Sequence, residues 1–484
     1  MGYLVLPGEG TPDASSDAST IAKFFRIGLA ALALAIALTL AVTNPVAAGE
    51  VTTMLEGNHP DEAAEIAESA AASSRPLAMH LTMALRNRAE LDRMLADQQN
   101  PASVDYHHWL TPDEFTNRFG PTDADLAKVT RWLTRKGFAV QSADAHTRQV
   151  SFTGTVASAT TAFGVKIAAT AGGEMFANTA DPNVPADVAP LIESIRGLDN
   201  FLHSAPSMHR MPMPAPDATS PSARINGNTG FGPNDLHTFY DQPVDLDGSG
   251  TDCIAIIEDS DFNRAGADAF NAQFGLPAFT GANFQVILVD GTNPGINSDG
   301  DETMVDVNYA HAMAPGAPIR VYLGDPTHSN SPLPDAIAQA VTDNACAAIT
   351  VSFSFCGASK NFFKAENSRF AQAAIQGQAV FVATGDVGSA SLKVDLKHQR
   401  CVPATKRGVN ELAASPNASA IGGTQFTPNF DSNGDDVGSV AESTWNDGGG
   451  ATGGGQSKIF KKPAFQKGLF KKNKKRDLPD VSFG

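Results

Sequence analysis

The chain has 484 residues, 42% of them apolar and 18% charged, with a net charge of −17. That length exceeds one ordinary domain, so two folded units with tails are expected. The acidic balance excludes a nucleic-acid partner, because no basic face is available to neutralise phosphates.

In chain order, Lys23 and Arg26 precede an uncharged apolar run over residues 27–42, followed by Asn44-Pro45-Val46-Ala47-Ala48-Gly49. A charged start, an apolar middle and small residues before a cut after Ala48 describe a signal peptide over residues 1–48. The run is shorter than the ~20 residues of a membrane span. Export to the extracellular space or periplasm is expected, with no stable membrane anchor.

Residues 49–203 form one compositional unit. Its clearest stretch is Tyr106-His107-His108-Trp109-Leu110-Thr111-Pro112-Asp113-Glu114-Phe115, followed by Arg118-Phe119-Gly120-Pro121-Thr122. Thr122 is an N-cap with Asp125 as its capping-box partner. Leu126, Val129 and Leu133 give the next helix an apolar face, and Gly137 stops it. A strand about 150–152 and a short helix about 157–163 complete a small α+β sandwich. Residues 204–230, with five prolines among small polar residues, predict an extended linker where a zymogen would be cut.

From residue 231 onward strand-like and helix-like segments alternate. Cys253-Ile-Ala-Ile-Ile-Glu258 is a short apolar run of the kind buried in parallel sheets. Segments 284–289, 319–323, 348–353 and 379–383 repeat it, which predicts an α/β fold with a doubly wound parallel sheet. Function in such sheets gathers at the carboxyl ends of the strands.

Glu302 and Asp306 stand four residues apart in a segment that Asp299-Gly300-Asp301 would start and Pro315-Gly316 would stop. On a helix, that spacing places both carboxyls on one face, with Met304, Val305, Ala310 and Ala312 expected on the buried side. Like charges so close favour retention of a proton, which suits proton transfer in acid. Acidic residues near a helix start also simply favour the macrodipole. Asp386, in Thr384-Gly385-Asp386-Val387-Gly388 after an apolar strand, falls on the functional edge of the sheet. His311 lies five residues past Asp306 and points away from the carboxyl face, so a packing or surface role is expected. Asp259 sits where the acid of a Ser-His-Asp site could lie, but no His-Gly-Thr-His motif accompanies it.

These motifs together resemble the sedolisin (serine-carboxyl peptidase, kumamolisin-like) family in its pro-form. The stretch 106–122 resembles the activation-domain signature, and 231–240 resembles the entry to the catalytic domain. Glu302-Thr-Met-Val-Asp306 with Ala-Pro-Gly-Ala closing the helix is similar to the family's Glu-x-x-x-Asp helix, and Thr384–Gly388 to its Ser-Gly-Asp-Ser-Gly turn. Residues 412–424, Glu442-Ser-Thr-Trp-Asn446 and Gly453-Gly-Gly-Gln-Ser457 also fit.

The resemblance implies a subtilisin-like sheet behind a small ferredoxin-like activation domain, with domains over 49–203 and 231–484. It makes Glu302 the general base toward a serine, Asp306 its orienting partner, and Asp386 the oxyanion donor, which requires a proton on Asp386. A base near the unperturbed carboxyl value of ~4.3 would suit acid. The expected enzyme is a secreted, monomeric zymogen of an acid-acting endopeptidase. It would act on proteins or peptides and be inhibited in cis by its own propeptide. The family's nucleophile lies in a Gly-Thr-Ser segment after Pro-Asp-Val-Ser. The chain ends at Pro479-Asp480-Val481-Ser482-Phe483-Gly484 with no Gly-Thr-Ser, so this polypeptide is expected to be truncated and inactive. The family's Ca2+ ligands are expected beyond the same point. The alternative is a degenerate relative that inhibits or binds without catalysing.

Other signals carry less. Ser389 is expected to be a turn residue. Asp245-x-Asp247-x-Ser249-Gly250 and Asp431-x-Asn433-x-Asp435 each break the calcium-loop pattern. Gly-rich 447–455 lacks a phosphate-loop lysine, and by resemblance it borders the substrate cleft. The lysine run 458–476 is expected to be a solvated face. Cys356 and Cys401, in loop-like sequence, are the expected disulfide, while Cys253 and Cys346 are expected as buried thiols.

Overall fold

Apolar runs too short for helices become the strands of two sheets, one in each half of the chain. The structure, a computed structural model, describes residues 51–66, 69–207, 224–225, 228–229, 232–243, 246–250, 252–326, 331–425, 441–469 and 472–484. Residues Thr52–Gly484 form one compact unit. The proposed signal peptide and linker residues 208–223 lie outside the described residues, as do Asp245 and the 431–435 loop. Among the described residues no helix is long and apolar enough to cross a membrane.

The first sheet is built from β1 (Pro76–Met83), α1 (Asp123–Arg135), β2 (Ala139–Asp144), β3 (Gln149–Thr155), α2 (Val156–Phe163) and β4 (Ile192–Arg196). Its order β2-β3-β1-β4 is antiparallel throughout, which is the ferredoxin-like βαββαβ arrangement. Thr122 caps α1 as expected: its hydroxyl accepts the Asp125 amide, and the Asp125 carboxylate accepts the Thr122 amide at 3.0 Å. Val129, Trp132 and Leu133 of α1 are fully buried against the sheet.

Next in the chain come β5 (His203–Pro206), β6 (Cys253–Glu258), β7 (Phe284–Leu288), α3 (Gly300–Met313), β8 (Ile319–Leu323), α4 (Pro332–Asp343), β9 (Cys346–Val351), β10 (Phe353–Cys356), α5 (Lys360–Ile375), β11 (Ala379–Ala383), β12 (Ser419–Gln425) and β13 (Val481–Phe483). The large sheet runs β7-β8-β6-β9-β11-β12-β13 with parallel pairing. Ile256 and Ile257 are both fully buried on opposite faces of β6, since helices cover both sides. The chain winds from β6 to one side, then from β9 to the other. The carboxyl ends of β6 and β9 therefore flank the topological switch point, where α/β sheets bind ligands.

Cys253 and Cys346 are disulfide-bonded, not free thiols. They are register partners on adjacent parallel strands, with Cα atoms 4.4 Å apart, a proximity that only the strand order creates. Cys356 and Cys401 are bonded as expected, but both lie in strands, Cys401 within Arg400–Arg407. Replacing Cys253 and Cys346 together by alanine should remove about 3 kcal/mol of stability by opening a long loop in the unfolded chain. A urea midpoint unchanged from wild type would contradict the bond.

The lysine run is not a plain solvated face. Gly455–Lys461 pairs antiparallel with Lys475–Leu478. Arg476 within it is fully buried and grips Asp480 through both terminal nitrogens, one at 2.7 Å.

Candidate active site

Helix α3 delivers the carboxyl pair. Its first turn carries Asp301 and Glu302, and its buried positions include Glu302, Thr303, Val307 and His311. Val305, expected on the inside, is 40% exposed. Thr303, Val307 and His311 at i, i+4 and i+8 form the inward stripe instead, which rotates Glu302 toward the sheet edge. His311 is a packing residue: its Nε2 meets the Pro277 carbonyl at 2.8 Å and its ring lies on Phe279.

At that edge the pair meets a carboxyl which sequence reading missed. Glu258 ends β6, has no exposed surface, and accepts the Thr303 hydroxyl at 3.0 Å. The Asp306 charge acts on it, and Ser352 Oγ donates to Asp306 Oδ2 at 2.6 Å. A charged residue terminating an apolar strand at the carboxyl end of a parallel sheet was the available signal.

Burial pushes Glu258 well above the usual carboxylate range, and the charges of Asp306 and Glu302 add to it. Glu302 is raised by burial first, then by Asp306 and Asp386. Asp306 is raised by burial against the opposing hydrogen bonds from Ser352 and Glu258. The unperturbed base expected from sequence is thus not what the folded chain holds. Buried carboxyls whose charges act on one another cannot all ionise.

Asp386 belongs to the same group, since its charge acts on Glu302. It lies in the turn after β11, where Gly385 and Gly388 have φ of +91° and +60°, conformations that side chains rarely adopt. The Gly-rich segment backs this turn: the Ala451 amide donates to the Asp386 carbonyl and Gly453 to that of Gly385. A Cβ on Gly453 would lie 1.9 Å from the Thr384 oxygen, so only glycine permits the approach. Ser389 is a turn residue.

The start of the proline-rich linker enters this site as a strand. β5 pairs antiparallel with β10, from His203 opposite Cys356 to Pro206 opposite Phe353. The Ser207 amide then donates to the Ser352 carbonyl at 2.7 Å. Ala205, Pro206, Ser207 and Asp386 line one small cavity. The first sheet meets the peptidase half through Arg196 of β4, which pairs with Asp335 of α4 at 2.8 Å. Glu193 of β4 adds contacts to Arg148 and Ser368.

Kumamolisin from Bacillus sp. (strain MN-32) is 31% identical over 403 residues, covering 80% of this chain and 68% of that protein. The chain belongs to the sedolisin family. Sedolisin from Pseudomonas sp. (strain 101) is 27% identical, covering 87% of this chain and 72% of its own length. The pro-kumamolisin activation domain family matches residues 65–201, which include the ferredoxin-like sheet. A solved structure of Pseudomonas sedolisin complexed with pseudo-iodotyrostatin is 28% identical, covers 52% of this chain and 70% of its own, and has a TM-score of 0.42. As a sedolisin-family protease zymogen, the chain combines a pro-region with a parallel α/β sheet.

Proposed function

We propose that this chain is the pro-form of a secreted, acid-acting serine endopeptidase whose own pro-segment occupies the substrate cleft. The observation that carries this is β5. It extends the edge of β10 as a peptide substrate would, and ends with Ser207 hydrogen-bonded to Ser352, the residue that holds Asp306. Glu302 takes the proton of a serine nucleophile, Asp306 shares and positions that proton, and protonated Asp386 donates to the oxyanion. In the closed zymogen, burial keeps the pair proton-loaded. Departure of β5 admits water, lowers the cost of ionising the pair, and leaves a monoanion able to act as base in acid. The enzyme is monomeric and acts on unfolded protein or peptide.

Ca2+ belongs to the complete family fold in this reading. Among the described residues no group of three or more His, Cys, Asp or Glu side chains converges as a metal site, and no step runs through the ion.

None of the 484 residues supplies a Gly-Thr-Ser serine. The polypeptide by itself is expected to show no hydrolysis of acid-denatured protein between roughly pH 3 and 5. Activity there, lost in Glu302→Ala, would overturn its inactivity. A longer product of the gene carrying Gly-Thr-Ser is expected to cut itself in acid between Ser207 and residue 230. Mass spectrometry placing the mature N-terminus elsewhere would count against the cleft assignment, and a gene without such a segment would favour a binding or inhibitory module.

A further inference from the structure

β5 also marks where a substrate side chain would go upstream of the scissile bond. Ser204 lies three residues before Ser207 and faces a cavity of about 360 Å3 between the pro-region and the large sheet. Its walls include Asp259, Pro332, Phe355 and Phe362 from the peptidase half, and Arg196 from the pro-region. Asp259 directly follows β6, is 5% exposed, and has one carboxyl oxygen without any hydrogen-bond partner. The carboxyl accepts from the Ser204 hydroxyl at a long 3.4 Å and from its own backbone amide.

A buried acceptor left this poorly satisfied is costly unless something longer than serine completes it. Among the described residues the charge acting on Asp259 is that of Asp299, another carboxyl. Arg196, His203 and Arg400 also line the cavity, and Arg196 is engaged with Asp335. The volume left beyond Ser204 suits a side chain of four or more heavy atoms.

We propose that Asp259 is a specificity-determining residue, forming an acidic subsite for a lysine or arginine side chain of the peptide substrate. The basic residue would stand three positions before the one that takes the place of Ser207. Serine in the pro-segment then acts as a weak occupant that can be displaced. This inference rests on the reading of β5 as the substrate's path.

The test is a double-mutant cycle in the 484-residue chain with Ser204→Arg and Asp259→Asn, followed by hydrogen exchange of the Ser204, Ala205 and Ser207 amides. It is run at pH 8, where Asp259, pushed up to about 7, is ionised. Ser204→Arg should slow exchange about tenfold with Asp259 present and have no effect with asparagine there, as expected for a desolvated charge-assisted pair. Equal slowing in both backgrounds, or none, overturns the subsite. Ser204→Lys is carried in parallel. Failure of both variants to fold also overturns it, because the cavity has to admit these side chains. Hydrolysis enters none of these readings. A failed peptidase assay with intact coupling would remove the function and leave the basic-residue pocket standing.

Discussion

Glu302→Ala is expected to lower kcat/KM for acid-denatured protein about 10⁴-fold in any product of this gene that also carries the Gly-Thr-Ser nucleophile. The side chain sits at the sheet edge, where Asp306 on the next turn and Glu258 at the end of β6 leave room for few negative charges. Burial first, and then such neighbours, raise this carboxyl and favour its protonated form. In the proposed mechanism, departure of the strand leaves Glu302 placed to exchange a proton with a serine. Asparagine at 306 removes the partner but keeps the Ser352 contact, so it should reduce kcat less and shift the acid limb of the pH–rate profile. Steady-state rates from pH 2 to 7 for both variants provide the check. A Glu302→Ala enzyme within tenfold of wild type would exclude the assignment.

Asp259→Asn is expected to flatten a stability slope that runs opposite to ordinary acid denaturation. Burial raises this carboxyl from 3.8 to about 7, so the folded chain binds its proton more tightly than the unfolded chain does. The associated stability is fully present below pH 3.8 and is lost as pH rises through about 7. At 1.36 kcal/mol per pH unit the difference amounts to about 4 kcal/mol. Urea unfolding of wild type and Asp259→Asn from pH 4 to 8 should give curves that diverge with rising pH. Parallel curves would show that Asp259 stays solvated.

Much of the scaffold is legible along the chain, because its signals are local. Cys253–Glu258, Ile319–Leu323 and Ala379–Ala383 form strands over the residues their apolar runs mark. Thr122 and Asp125 close their capping box through bonds spanning three residues. The i, i+4 spacing of Glu302 and Asp306 likewise follows from helix geometry. It does not show which side of α3 is buried. That depends on Thr303 meeting Glu258 and on His311 meeting Pro277 across the fold, and Val305 consequently faces out.

By itself the sequence determined the family, the alternation of strands and helices, and the presence of Glu302, Asp306 and Asp386 as a set. Each of these is written in spacings of a few residues or in motif order. The tertiary structure alone decided that Glu258 completes the carboxyl cluster and that Cys253 bonds Cys346. It also decided that the linker's first residues pair with β10 as a strand. These are contacts between segments tens of residues apart, brought together by strand order. The carboxyl proton affinities are tertiary for the same reason: they arise from shared burial, and no residue carries its dielectric surroundings in its own neighbourhood of the chain.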